Sequence, residues 1–247
     1  MGTACILGGM MFVASCGKEE NNKGNGNNEP KTTELLPSEM EERRNFDDHY
    51  FITKFYYDEQ NRFTKIEYNE NGTRIEETFT YDEAGRIIRM ESKDYSTDYT
   101  YSGNKVTTIR TEGAGEFKQE YKHILSLNEK GLVTERLVYY QSSEYDTHKY
   151  EYDENGNLIK YEDGYDKNCK PTFTYDDKKS MYSSVNMPIW WFTSGFISFK
   201  GNNLLSRKGC GELTLSYEYN EYDYPTKMTV KNESGLYIQT IKYINAK

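Results

Sequence analysis

The chain has 247 residues, of which 35% are hydrophobic and 29% are charged, and its formal net charge is −9 at pH 7. This length suits about one large domain beside short terminal segments, and single all-β domains of this size are common. The negative charge argues against a nucleic-acid partner and against docking of the domain surface on anionic lipid, because both are bound by clustered positive charge.

Residues 1–15 are predicted to be a secretory signal peptide. They contain no charged side chain, and the apolar run at 6–13 is shorter than the roughly 20 apolar residues of a spanning helix. The run ends in Val13-Ala14-Ser15-Cys16, which resembles a bacterial lipobox, although no Lys or Arg precedes the run. This resemblance implies that Cys16 carries the lipid. A buried N-terminal strand is the alternative.

Residues 16–45 are predicted to be a flexible tether. The stretch 17–33 is rich in Asn, Gly, Lys and Glu and lacks aromatic residues, so it cannot bury enough apolar area to offset the entropy of ordering it. Gly17-Lys18-Glu19-Glu20 resembles the export signal of Bacteroidota lipoproteins. It implies a lipid anchor in the outer membrane that faces the cell exterior, with the periplasmic face as the alternative. Within this region, only residues 34–44 suit a short helix.

Residues 46–247 are predicted to form a single domain of repeated β-hairpins. Aromatic residues alternate with polar ones before each turn, which indicates half-buried strands, and Asp and Gly supply the turns. The repeat anchors are spaced by 20 to 26 residues, which is typical of a repeat architecture, and they are Tyr57, Tyr81, Tyr101, Leu127, Tyr152, Tyr175, Phe199, Tyr219 and Tyr243.

The predicted fold is all-β: an antiparallel meander of about sixteen strands, built from tandem hairpins. We expect the sheet to be strongly curved or closed into a barrel-like, water-soluble sheet with a Tyr-rich inner face. The outer face carries Lys, Arg and Glu, such as Lys65, Glu67 and Lys149. Placing each midplane Lys or Arg in lipid would cost ~2–4 kcal/mol, which argues against a membrane-spanning barrel.

These hairpin units resemble the YD repeats of RHS-type proteins. Together with the lipobox, they are similar to a family of Bacteroidota lipoproteins of unknown function with a porin-like β fold. The stretch 175–205 is the most distinctive, because a Tyr-Asp-x-Lys unit precedes a long apolar insertion and an Asn-Asn pair. It departs from the family at Ser180-Met181-Tyr182, where Asn-Pro-Phe is usual. The resemblance implies a fold and transfers no activity.

The insertion at 181–196 breaks the repeat and contains both tryptophans. Trp190, Trp191 and Phe192 could form an exposed aromatic platform that binds a glycan or a partner protein. The alternative, which we favour, is a plug that fills the interior of the curved sheet, because so dense an apolar run is costly to expose.

The remaining polar candidates have simpler structural explanations. The acidic pairs Asp58-Glu59, Asp82-Glu83, Asp153-Glu154 and Asp176-Asp177 recur with the turn, so turn hydrogen bonding explains them better than calcium binding or acid–base catalysis. The three histidines, which we take as ordinary residues, are His49, His123 and His148. No hydrolase, P-loop or Cys-x-x-Cys motif occurs.

We therefore expect no metal, no cofactor and no catalysis. The favoured function is a binding or adhesion module for a glycan or protein ligand, followed by a structural or accessory shell, with a hydrolase a distant third. An oxidising compartment permits a disulfide between Cys169 and Cys210. We expect several strands to separate the two cysteines, so that a bridge would need a loop to reach across.

Overall fold

The computed structural model describes residues 33–44, 50–113, 115–140, 143–194, 197–198 and 200–247. The described residues belong to one unit, Thr32–Lys247. The predicted signal peptide, the lipidation site Cys16, most of the predicted tether, His49 and the repeat anchor Phe199 lie outside the described residues.

The first strands of the domain follow one another with short connections. They are β1 (Leu35–Arg44), β2 (Tyr50–Tyr57), β3 (Phe63–Glu70), β4 (Thr73–Tyr81), β5 (Ile87–Glu91), β6 (Tyr95–Ser102), β7 (Lys105–Glu112), β8 (Gln119–Leu127) and β9 (Val133–Tyr140). A 3-10 turn at Gly115–Phe117 lies between β7 and β8.

The remaining strands include a short ribbon inside the insertion. They are β10 (Ser143–Tyr152), β11 (Leu158–Glu162), β12 (Thr172–Tyr175), β13 (Thr193–Ser194), β14 (Ile197–Ser198), β15 (Leu204–Lys208), β16 (Leu213–Tyr219), β17 (Pro225–Asn232) and β18 (Gly235–Asn245). β13 and β14 pair with each other in a separate two-stranded sheet, and a 3-10 turn at Ile189–Phe192 precedes them.

Sixteen of these strands form one antiparallel sheet that is a nearly closed barrel. Successive strands pair from β1 to β11 and from β15 to β18, and β12 pairs with β15. β1 lies between β2 and β18, so the two ends of the domain meet. The sheet order ends at β11 and β12, which are consecutive in the chain. The Tyr175 hydroxyl donates to the Leu158 carbonyl across this seam at 2.9 Å. The predicted all-β meander is confirmed.

Strand β1 corrects two predictions. Residues 35–44 are extended and pair with β18 and β2, with Met40 opposite both Ile241 and Thr53. The segment is therefore neither a helix nor part of a tether, and the folded domain begins by Leu35. Local propensity favoured a helix, but one of the two partner strands, β18, lies about 200 residues away in sequence, where no local pattern reveals it.

The Tyr-Asp turns show why the acidic residues recur. The Asp58 carboxylate accepts hydrogen bonds from the backbone N–H groups of Gln60 and Arg62, both at 2.9 Å. Asp153 closes its turn in the same way, and Gly156 of that turn has a φ of +84°. Most side chains strain in this left-handed region, and glycine does not. Turn chemistry thus explains these carboxylates, as the repeat predicted.

Six tyrosines, five of them repeat anchors, link a hairpin to an earlier one, whereas the anchor Tyr219 donates to the Asp176 carboxylate instead. The six hydroxyls donate at 2.6–2.9 Å to a backbone carbonyl at or near the start of an earlier strand: Tyr57 to Pro37, Tyr81 to Phe63, Tyr101 to Ile87, Tyr175 to Leu158, Tyr217 to Leu204 and Tyr243 to Pro225. The rings point inward, so one side chain supplies both apolar contact and a hydrogen bond. This explains why tyrosine, rather than phenylalanine, predominates at the anchors.

Cys169 and Cys210 form a disulfide, with Cα atoms 5.2 Å apart. The expectation that several strands would separate them was wrong. β12 pairs directly with β15, with Thr172 opposite Lys208, because the insertion between these strands leaves the sheet and β15 resumes it at the next position. Both cysteines therefore flank one pair of neighbouring strands.

Candidate functional site

The insertion occupies part of the barrel interior. Trp190 is 6% exposed and packs on Tyr99 and Tyr101, with ring centroids 5.7 and 6.3 Å apart. Phe192 is 4% exposed, and Trp191 packs on Phe63 at 5.7 Å. These side chains cover the inner face of the first half of the sheet. They form a plug, and the burial of Trp190 and Phe192 is incompatible with an exposed platform.

Lys200 holds the plug by a polar contact inside the apolar interior. Its ammonium donates to the backbone carbonyls of Val185 and Met187, at 2.5 and 3.1 Å. Burial lowers the pKa of Lys200 to about 8, because the charged form loses solvation. The same ammonium lies 5.2 Å from the centre of the Phe192 ring, which adds a cation–π contact.

The plug leaves a cavity of about 350 Å³ on the opposite side of the interior. Inward-facing side chains of β1 and β15–β18 form its wall, and Met181 and Tyr182 of the insertion form its floor. Leu215, Met228 and Val230 line it and keep part of their surface exposed. Sites for small molecules measure about 300–1,000 Å³ and are mostly apolar, so this cavity has the size and character of a ligand site.

One hydroxyl at this cavity has no partner within the protein. Ser180 lines the cavity and is 4% exposed, and its Oγ atom makes no hydrogen bond to any described residue. Buried polar groups are nearly always paired, so an unpaired hydroxyl is available to a bound molecule. The lining also includes three side-chain amides, those of Asn202, Asn203 and Gln239. The cavity is therefore apolar with a few hydrogen-bonding groups.

A second group of inward-facing residues is polar. The Glu77 carboxylate is 8% exposed and accepts hydrogen bonds from the hydroxyls of Tyr68 and Tyr95. His123 faces inward from β8, and burial, with help from Arg136 and His148, lowers its pKa to about 4. His123 is consequently neutral at pH 7.

His148 lies in the same region and is not an ordinary strand residue. It is 8% exposed and contacts Asp146, Tyr161 and Asp163 through its two ring nitrogens. Sequence reasoning missed this grouping. The spacing in Asp146-Thr147-His148 does place the Asp146 and His148 side chains on one face of a strand, but Asp163 comes from the loop that follows the next strand.

Comparisons with known proteins give little beyond the fold. No protein-family model matches the chain, and no curated protein matches it. A crystal structure that it resembles is that of a porin-like protein from Bacteroides uniformis ATCC 8492, with a TM-score of 0.42 and 13% identity over 88% of this chain and 100% of the other. A likeness of this degree carries no argument about ligand, activity or location. The resemblance to YD repeats and to lipoproteins stays a prediction.

Proposed function

We propose that this protein is a non-catalytic binding protein that takes an apolar small molecule into the barrel cavity. The observation that carries the proposal is the cavity of about 350 Å³, with aliphatic side chains on its wall and the unpaired Ser180 hydroxyl at its edge. Among the described side chains that line it, none is an acid, a lysine, an arginine or a histidine. Tyr182 and Tyr217 are the titratable side chains among them, and the Tyr217 hydroxyl already donates to the Leu204 carbonyl. General acid–base chemistry needs a free group within hydrogen-bond reach of the substrate, so binding fits the cavity better than catalysis.

The proposal includes an anchor. We infer from the lipobox that acylated Cys16 attaches the domain to the outer membrane. The domain then faces the cell exterior, with the periplasmic face as the alternative. No helix of the described residues is long and apolar enough to cross a membrane. Replacing Cys16 by Ala should release the protein from the membrane fraction of cells that express it. Membrane association unchanged by C16A would contradict the anchor while leaving the cavity proposal intact.

The cavity is tested by filling it. N-phenyl-1-naphthylamine, an apolar dye whose emission rises in apolar surroundings, serves as the probe. Met228→Trp places a larger side chain on the cavity wall, and we expect it to abolish saturable binding. Thr229→Trp is the matched control, because neighbouring residues of a strand point to opposite faces and Thr229 therefore points away from the cavity. Equal dye binding by the two variants would show that the cavity is not the site.

A structural or accessory role is the second candidate. The tyrosine-to-carbonyl links and the plug favour it, because both rigidify the barrel without creating a site. The two functions are separated by the same titration. If the unaltered protein does not bind the dye saturably, the structural role is the better account of the molecule.

A further inference from the structure

We propose that Asp146, His148 and Asp163 bind a divalent transition-metal ion such as Zn²⁺. Asp146 and His148 lie two residues apart on β10, and Asp163 directly follows the neighbouring strand β11. One donor atom from each residue can be chosen so that all three lie within 4.8 Å of one another. The Asp146 Oδ2 atom is 3.2 Å from His148 Nε2, and the Asp163 Oδ2 atom is 4.0 Å from His148 Nδ1.

The backbone orients both carboxylates toward the imidazole. Asp146 Oδ1 accepts the N–H of Thr147 at 2.7 Å. Asp163 Oδ1 accepts the N–H groups of Tyr165 and Asp166, at 2.9 and 3.1 Å. The Oδ2 atom of each carboxylate therefore faces the histidine. Supporting hydrogen bonds of this kind are what hold ligands in place at metal sites.

The charge of the group calls for a cation. The side chains of Asp146 and Asp163 are 11% and 19% exposed, and within the described parts of the chain neither forms an ion pair with a lysine or arginine. Two carboxylates with so little exposure beside one imidazole form an arrangement that a bound cation would stabilise.

The donor set selects the class of metal. Imidazole with carboxylates suits zinc and its neighbours, whereas calcium and magnesium prefer oxygen ligands alone. Ligands about 2.0–2.2 Å from a tetrahedral zinc lie about 3.3–3.6 Å apart. The Asp146 carboxylate nearly meets this distance at 3.2 Å from His148 Nε2. The Asp163 carboxylate lies 4.0 Å from the other ring nitrogen, Nδ1, so it must turn toward Nε2 to complete the site. The Tyr161 hydroxyl, 2.7 Å from His148 Nδ1 and 3.0 Å from Asp163 Oδ2, stands beside the site.

The loop that carries Asp163 is fixed in place. A side chain at Gly164 would collide with the Asp146 carboxylate and the Thr147 backbone, so glycine is needed for the loop to pass this close. At the other end of the loop, Cys169 is tied to Cys210.

A calorimetric titration with ZnCl₂ tests the site, and it uses the full chain after treatment with a chelator. We expect one ion per chain with a dissociation constant of micromolar or below. Asp163→Asn should weaken binding at least tenfold, because it removes a charge and a ligand but keeps the shape of the side chain. Asp166→Asn is the matched control: its carboxylate accepts the Asn168 N–H in the same loop and does not face His148, so its affinity should not change.

Two outcomes would overturn the proposal: no stoichiometric zinc binding by the unaltered chain, or equal affinity in D163N and D166N. If D163N does not fold, Co²⁺ added to the unaltered chain replaces it. Intense visible absorption then supports a four-coordinate site with a nitrogen ligand, and the weak spectrum of hydrated cobalt refutes it. Neither result bears on the cavity, which lies at β1 and β15–β18, so the two proposals fail or succeed separately.

Discussion

Removal of the Cys169–Cys210 disulfide should destabilise the domain by about 4 kcal/mol. The two cysteines are 41 residues apart in sequence, and cross-linking a loop of that length removes about 13 cal/mol/K of entropy from the unfolded chain, which is about 4 kcal/mol at 25 °C. Domains have a total stability of about 5–15 kcal/mol, so the loss is large. The closed loop contains β12, the plug and β15, whose positions all depend on the β12–β15 pairing.

The perturbation is the double variant Cys169→Ser/Cys210→Ser. The assay is urea unfolding, with tryptophan emission as the signal. Both tryptophans lie inside the closed loop, so their emission reports directly on it. We expect the free energy of unfolding to fall by about 4 kcal/mol. A reductant should destabilise the unaltered protein to the level of the variant and should leave the variant unchanged. A loss below about 1 kcal/mol would refute the argument from chain entropy.

Three further predictions concern the interior. Tyr81→Phe removes the hydroxyl that donates to the Phe63 carbonyl, so the free energy of unfolding should fall by about 0.5–1.5 kcal/mol in urea unfolding, whereas the exposed Tyr56→Phe should change it little. Trp190→Ala should cost about 3–5 kcal/mol by the same measurement, because it leaves a cavity in the plug, and a loss below 1 kcal/mol would count against burial. His123 has a folded pKa of about 4 against about 6.5 when unfolded, so protons bind the unfolded chain first and stability should fall as the pH drops from 6.5 to 4. His123→Gln should lose less stability over that interval, and an identical pH dependence would contradict the assigned burial.

The repeat made much of the fold predictable. Its period-two aromatics, turn carboxylates and glycines act within about ten residues of each other, so their effect is visible in the sequence. The strands that follow Tyr57 and Tyr152 and the turns at Asp58 and Asp153 lie where these patterns put them. The outward charges also form cross-strand ion pairs, such as Lys65 with Glu76 at 3.2 Å.

The candidate sites were much less predictable, because their parts come from distant segments. The cavity needs β1, β15–β18 and the insertion together, and the sequence assigned β1 to a tether. The plug was foreseen as one of two alternatives, and only its contacts with Phe63, Tyr99 and Tyr101 decide between them. Whether a dense apolar segment fills an interior or covers a surface depends on the space that the rest of the chain leaves.

The sequence by itself determined the hairpin, its turn and the inward tyrosine, since each is set by neighbouring residues. Tertiary structure alone decided which strands meet: β1 with β18, and β12 with β15 across the insertion. Those two pairings place the disulfide, the cavity wall and the closure of the sheet. They depend on contacts between residues far apart in the chain, whose pairing is fixed only when the whole barrel curls and its last strand reaches the first.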